Sequence, residues 1–199
     1  MLFVLTRSLK TVVVFLASLI VLAQESLPSQ HNRDIALWEN LLPKVEAELA
    51  RHQIVCDAAS NWKVRIASVA DLTGDGVPEA VVDWCNGGAY TDSLILMRLE
   101  NGRPVLARSR ERGRYGFMEL ASGTSAMHSV GYKFHPEQHA IYFIQYQFEG
   151  FDKENRAFGQ TAKVDVYVWS PTTKAFEYNR DLSKRESQAR TDKKPTRPH

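Results

Sequence analysis

A nine-residue stretch, DLTGDGVPE at residues 71–79, brings together residue types that bind a hard metal ion. Its carboxylates are Asp71, Asp75 and Glu79, and Val77 offers a backbone carbonyl between the last two. Calcium takes about six to eight oxygen ligands, and short loops supply them as alternating carboxylates with a main-chain carbonyl. The glycines of the stretch permit the positive φ angles that wrap a chain around an ion. The spacing therefore favours a calcium-binding loop.

The same stretch is open to a second interpretation, as a polar turn between two strands. Asp-Gly pairs and Asx turns are common between strands where no metal is bound. Against this interpretation, three carboxylates drawn together without a cation would repel one another. The stretch is not an EF-hand, because the twelfth residue from Asp71 is Val82, where an EF-hand places a bidentate glutamate.

With the apolar runs that flank it, IASVA before and AVVDW after, the stretch resembles an FG-GAP or VCBS-type repeat of the integrin-alpha kind, over residues 64–84. The resemblance implies a strand–loop–strand unit in which Asp71, Thr73, Asp75 and Glu79 bind calcium together with the carbonyl of Val77. Such repeats are usually arrayed in propellers on secreted and cell-surface proteins. The pattern occurs only once here, and 199 residues are too few for a complete propeller.

The first 23 residues have the composition of a secretory signal peptide. Arg7 and Lys10 precede an apolar run over residues 11–22, and Val21 and Ala23 form a plausible cleavage site. The run is shorter than the roughly 20 apolar residues that span a bilayer. We therefore expect a periplasmic or secreted mature protein without a transmembrane span.

The charge of the chain is unevenly distributed. Without the signal peptide, 23 Lys and Arg face 23 Asp and Glu, so the net charge is near zero and nucleic acid is a poor candidate partner. Residues 182–199 hold six basic against two acidic residues and lack apolar periodicity. We expect this basic tail to be disordered.

Two cysteines, Cys56 and Cys85, are present. In an oxidising compartment an even pair favours a disulfide, which would stabilise the fold by roughly 3–4 kcal/mol on the chain-entropy model. The alternative is a pair of buried free thiols.

Helical periodicity follows a polar segment at residues 24–33. From residue 34 to 53, apolar residues recur at the spacing of an amphipathic helix. Pro43 lies inside this helix, so we expect a kink there, or a break that leaves Pro43 in the first turn of a second helix.

The remainder of the domain, to residue 181, is predicted to be a meander of short strands. Asn101-Gly102 is a strong hairpin signal, and SLILMRL at residues 93–99 is apolar on both faces, as a central strand would be. We predict one mainly β (α+β) domain over residues 34–181, with about eight or nine antiparallel strands and the N-terminal helix against one face of the sheet.

The sequence contains no recognisable catalytic motif. The expected function is an exported, non-catalytic module, with a calcium-stabilised loop, that binds a protein or an envelope polysaccharide. The alternative is a small exported hydrolase without a recognisable active-site motif. A basic segment carrying Arg108, Arg110, Arg112 and Arg114 is either a solvated loop or a surface for anionic polymers or lipid headgroups.

Overall fold

A computed structural model describes residues 29–56, 62–86, 91–124, 128–151, 157–158 and 161–191. The signal peptide predicted at residues 1–23, most of the polar segment 24–33 and residues 192–199 lie outside the described residues. The chain divides into two compact units, residues 1–33 and 34–199, and the first is described only from residue 29.

The N-terminal region forms two helices, separated by residues 40–41, instead of the single helix of the main prediction. Helix α1 spans Gln30–Glu39, so it begins before residue 34, and α2 spans Leu42–Arg51 with Pro43 in its first turn. Proline is tolerated there because its missing N–H would have no helical acceptor. The break that the sequence offered as the alternative is therefore the correct one. No helix in the described part of the chain is long and apolar enough to cross a membrane.

The described residues form thirteen strands, more than the eight or nine predicted, because several strands have only two to four residues. They are β1 (Arg65–Ala70), β2 (Glu79–Asn86), β3 (Thr91–Glu100), β4 (Arg103–Leu106), β5 (Arg108–Glu111), β6 (Arg114–Phe117), β7 (Glu119–Thr124), β8 (His128–His135), β9 (Ala140–Gln147), β10 (Gly150–Phe151), β11 (Ala157–Phe158), β12 (Thr161–Ser170) and β13 (Ala175–Tyr178). The predicted hairpin at residues 101–102 is confirmed, because Asn101 and Gly102 have positive φ and join β3 to β4.

Eleven strands form one sheet in the order β1-β2-β3-β7-β8-β9-β12-β13-β5-β6, with β4 paired to part of β3. Strands β10 and β11 form a separate pair. All neighbours are antiparallel except β13 and β5, which run parallel. Over the described residues the sheet does not close into a barrel or propeller, and the prediction of a mainly β fold is confirmed.

The central strands are covered on both faces, as SLILMRL predicted. Ile95 and Met97 pack with Trp38 and with α2, whereas Leu94 and Leu96 point into a second cluster on the other face. The predicted disulfide between Cys56 and Cys85 is present, with Cα atoms 5.2 Å apart. It ties the segment after α2 to β2.

The prediction of a disordered basic tail is wrong for residues 182–191, because Arg180–Thr191 forms helix α3 against β12. Three hydroxyls one turn apart accept hydrogen bonds from alternate N–H groups of the strand: Ser183 Oγ from Val166 at 2.8 Å, Ser187 Oγ from Val164 at 2.8 Å and Thr191 Oγ1 from Ala162 at 3.4 Å. The helix therefore satisfies a strand edge that would otherwise be left unpaired. Apolar periodicity could not predict it, because its contact with the strand is made by hydroxyls.

Three backbone hydrogen bonds form a closed set at the base of the β5–β6 hairpin. The N–H of Leu96 donates to the carbonyl of Met118 at 2.9 Å, Met118 donates to Ala107 at 2.8 Å, and Ala107 donates back to Leu96 at 2.9 Å. All three residues are buried. Because Ala107 and Met118 flank the β5–β6 hairpin in sequence, this closed set of hydrogen bonds anchors the base of the hairpin.

Candidate functional site

The acidic loop at residues 71–79 connects β1 to β2, as the strand–loop–strand pattern predicted. Its last turn is held by the buried side chain of Trp38, whose Nε1 donates to the carbonyl of Pro78 at 2.8 Å. Gly74 lies against the ring of His139, so that a Cβ at this position would collide with His139 Cε1. The loop is therefore packed between the first helix and the turn before β9.

Two of the loop's carboxylates bind the loop's own backbone. Asp71 accepts hydrogen bonds from the N–H groups of Gly74 at 2.8 Å and Gly76 at 3.0 Å, one on each oxygen. Asp75 accepts one from the N–H of Val77 at 2.9 Å, which is an Asx turn. Gly74 and Gly76 have φ of 75° and 81°, the conformation for which glycine is favoured.

The third carboxylate, Glu79, is enclosed and only 2% exposed. Its Oε2 accepts hydrogen bonds from the N–H groups of Leu72 at 2.7 Å and Thr73 at 3.2 Å, and its Oε1 accepts one from the Thr73 hydroxyl at 3.1 Å. Burial raises the pKa of Glu79 to about 7, and the nearby Asp75 charge adds to the rise, while the hydrogen bonds from Leu72 and Thr73 oppose it. These three hydrogen bonds to Glu79 hold the first turn of the loop in place.

The five residues predicted as calcium ligands fit the ion by donor type and only in part by arrangement. Asp71 and Asp75 are partly or fully exposed and keep lone pairs beyond the hydrogen bonds they accept. Glu79 is buried and already binds three loop donors, one of them the Thr73 hydroxyl. Among the described residues, no three His, Cys, Asp or Glu side chains form a cluster able to hold a metal ion.

A second polar region lies on the β5–β6 hairpin, at the end of the sheet order. Arg108 pairs with Phe117 and Arg110 with Tyr115 across the two strands. Because alternate residues of a strand share a face, two arginines and two aromatic rings lie on one face of the hairpin. Among the described strands, β6 has no neighbour besides β5, so this face borders an edge of the described sheet.

The two rings and Arg108 remain accessible, whereas Arg110 is half-buried and paired with Glu177 at 3.2 Å. Tyr115 is 54% exposed and Phe117 is 36% exposed, which is unusual for large apolar side chains of a strand. The guanidinium carbons of Arg110 and Arg108 lie 5.4 Å and 5.8 Å from the centre of the Tyr115 ring. Both distances are within cation–π range.

Clefts of about 540 and 470 Å3 border the hairpin, and a third of about 300 Å3 lies at the end of β12. Glu79 and Asp83, the two buried carboxylates among the described residues, line none of these three clefts. Asp83 is instead bound by Arg65, whose Nε and Nη2 both lie 2.7 Å from Asp83 Oδ2. The carboxylates with raised pKa values are therefore separate from the concave surfaces.

The sequence pattern did not indicate the aromatic part of this region, and the arginines were predicted to lie in a solvated loop or on a surface for anionic polymers or lipid headgroups. The segment is a hairpin whose two-residue turn, Arg112-Gly113, has φ of 49° and 78°. Gly113 in RSRERGRYGF is a partial signal for such a turn, because the strong two-residue hairpin signals place Asn, Asp or Gly before the glycine and this chain has Arg112 there. The exposure of Tyr115 and Phe117 had no signal in the sequence, since aromatic residues in strands are usually core.

Comparisons of the chain with protein-family models, with curated proteins and with solved structures give no match.

Proposed function

We propose that this protein is an exported, non-catalytic binding module that holds an anionic macromolecule on the face of its β5–β6 hairpin. The observation that carries the proposal is the pair of exposed rings, Tyr115 and Phe117, each paired across the hairpin with an arginine. Tyrosine and arginine are the side chains most often found at the energetic centre of binding surfaces.

Two further features support a binding role. A hairpin at the edge of the described sheet offers an extended contact surface, as an elongated partner requires. The carboxylates with raised pKa values, which an acid–base enzyme would place in a cleft, are bound by the backbone of the acidic loop or by Arg65.

The disulfide suits an oxidising compartment, which agrees with the export proposed from residues 1–23.

Calcium binding by the acidic loop remains part of the proposal. Asp71 and Asp75 supply hard anionic oxygens at an accessible position, and the carbonyl of Val77 is the third candidate donor. A bound cation would neutralise charge in the loop and stabilise the loop's conformation. It would not touch the hairpin residues that carry the partner-binding proposal.

The binding proposal is tested with the mature chain and immobilised polymers of one size but different charge: polygalacturonate, dextran sulfate and neutral dextran. We expect binding to at least one anionic polymer and none to dextran. The double variant Arg108→Ala/Tyr115→Ala should bind about tenfold more weakly or worse. The matched control is Lys133→Ala, which removes one exposed cation from β8 and should bind as the wild type does.

Equal binding by the wild type and the double variant would show that the hairpin is not the binding surface. Absence of binding to every anionic polymer would remove the support for an anionic partner.

A further inference from the structure

A cleft of about 470 Å3 lies beside the hairpin, where four parts of the chain meet. Its walls come from the end of α2, from the β3–β4 hairpin, from the β5–β6 hairpin and from the turn before β13. Its volume is within the usual range of sites that hold one small molecule or one unit of a polymer. Phe117, one of the exposed rings of the hairpin face, lines this cleft as well.

The cleft has more positive than negative charge. Four cationic side chains line it, Arg51, Arg98, Arg108 and Lys174, against two carboxylates, Glu48 and Glu100. The lining therefore carries a net excess of two positive charges when His52 is neutral.

The two carboxylates are already paired within the cleft. Glu48 is bound in a fork by Arg51, at 2.6 Å and 2.9 Å, and Glu100 lies 3.1 Å from Nη1 of Arg98. Among the described residues that line the cleft, Arg108 and Lys174 are thus left without a carboxylate partner, and both are exposed. Two exposed cations in a cleft whose carboxylates are already paired are suited to binding an anion.

One further donor in the wall is unsatisfied. Arg98 is only 12% exposed and lies with its guanidinium 4.6 Å from the centre of the Trp169 ring, and its Nε is buried without a hydrogen-bond partner. A buried donor without an acceptor costs free energy, so the position of Arg98 in this wall is maintained by its stacking on Trp169 and its contact with Glu100. Beside it, the ring of Phe117 packs edge-on against His52 at 4.9 Å and offers an apolar wall.

We propose that this cleft binds a carboxylated sugar unit of an acidic polysaccharide. Arg108 and Lys174 bind the carboxylate, the paired Glu48 and Glu100 accept hydrogen bonds from sugar hydroxyls, and the apolar face of the sugar ring lies on Phe117. The inference rests on the proposed function and names its partner, because the polymer continues from the cleft along the hairpin face.

The mixture of charges favours a sugar acid over a phospholipid surface. A bilayer presents a plane of phosphates, which Glu48 and Glu100 would repel and which a concave cleft cannot meet as a plane. A hydroxyl-rich ring with one carboxylate uses both signs of charge in the cleft. Guanidinium groups also match the planar geometry of a carboxylate.

The test is a calorimetric titration of the full mature chain with a hexamer of galacturonic acid and with the same hexamer after reduction of its carboxyl groups. We expect binding of the acidic hexamer only. Lys174→Asn should weaken it about tenfold or more, as expected when a hydrogen bond to a charged group is lost. Asparagine is chosen because residue 174 has a φ of 50°, which asparagine tolerates. Lys174→Arg should restore the affinity, and Lys133→Ala should leave it unchanged.

Several results would overturn the inference. They are no binding of the acidic hexamer, equal affinity for the reduced hexamer, and an unchanged affinity in Lys174→Asn. Binding to phosphatidylglycerol vesicles without binding to the hexamer would assign the surface to a membrane. Equal affinity for the galacturonate monomer would rule out a polysaccharide as the source of the ligand.

This outcome is separable from that of the proposed function. If the polymer binds through Arg108 and Tyr115 but Lys174→Asn has no effect, the hairpin function stands and the cleft assignment fails. If neither the polymers nor the hexamer bind, both fail.

Discussion

The acidic loop and the β5–β6 hairpin are both short, charged connections, and they use their polar groups in opposite ways. In the loop, Asp71, Asp75 and Glu79 all accept hydrogen bonds from backbone N–H groups of the same nine-residue stretch. In the hairpin, Arg108 has no carboxylate partner in the cleft it lines, and Tyr115 and Phe117 remain exposed. The acidic loop, which has the more conspicuous sequence, thus binds most of its polar groups internally, whereas the hairpin does not.

The difference separates groups that hold a fold from groups that can bind a partner. A polar group that is already satisfied gains little from a ligand, because a new hydrogen bond replaces an existing one. A cation or ring that has no partner within the fold can still gain interaction free energy when a ligand binds to it. Substitutions in the loop should therefore change stability, and substitutions in the hairpin should change binding.

The largest effect is expected at Glu79. Its pKa is raised from 4.5 to about 7 in the folded state, so its contribution to stability is fully present below pH 4.5 and is lost as the pH rises through 7. The loss amounts to about 3 kcal/mol in the absence of calcium. Glu79→Gln mimics the protonated form, because its carbonyl accepts from Leu72 and Thr73 and its amide can donate to the Thr73 hydroxyl.

We expect Glu79→Gln to match the wild type at pH 4 and to exceed it by about 3 kcal/mol at pH 8, as measured by chemical denaturation in chelator. Glu119→Gln, at an exposed position on β7, controls for the change in net charge. If Glu79→Gln is less stable than the wild type at pH 8, the side chain is charged and needed as a carboxylate.

The next effect in size is a loss of stability in α3. Side-chain oxygens of this helix accept hydrogen bonds from backbone N–H groups, as the carboxylates of the loop do. Ser183→Ala removes the acceptor of the buried Val166 N–H and should cost about 1–3 kcal/mol of the free energy of unfolding. Lys184→Ala, on the exposed side of the same helix, should change it by less than about 0.5 kcal/mol. Equal denaturation midpoints for the two variants would mean that the hydroxyls do not hold the helix to β12.

Calcium tests the contrast between the loop and the hairpin, because a bound ion would make the loop a ligand site as well. If the loop has the dissociation constant of about 10⁻⁴–10⁻³ M typical of extracellular modules, about 10 mM calcium should stabilise the fold by roughly 1.4–2.7 kcal/mol. That corresponds to a rise in melting temperature of about 3–10 °C. Magnesium should give much less, and Asp75→Ala should abolish the shift.

The measurement is a melt of the mature protein in chelator, calcium and magnesium. Coincident wild-type curves in chelator and calcium would identify DLTGDGVPE as a polar turn that needs no ion.

The smallest effect on stability is expected in the hairpin. Arg108→Ala and Tyr115→Ala should each change the free energy of unfolding by less than about 0.5 kcal/mol, because both side chains are exposed. The same variants are expected to weaken polymer binding. A loss of stability above about 2 kcal/mol in either would place these residues among the structural contacts and remove the contrast with the loop.

Local patterns in the sequence were sufficient for much of the fold. The two-residue turn at Asn101-Gly102 and the apolar run of β3 each depend on a few neighbouring residues, and each was predicted correctly. Pro43 indicated a kink or a break in the helix, and only the structure decided for the break. Helix α3 was not, because its contact with β12 depends on hydroxyls that match N–H groups about 20 residues earlier. Polar periodicity of that kind is also found in solvated tails.

For the candidate sites, the sequence by itself determined which oxygen donors and cations the chain carries and in what order. Tertiary structure decided which of them are enclosed. Glu79 is buried where β2 begins, with its oxygens enclosed by donors of the loop, whereas Tyr115 is exposed although Leu96, Ala107 and Met118 are buried at the base of its hairpin. Burial results from contacts between residues distant in sequence, and burial decides whether a polar group stabilises the fold or remains available to a ligand.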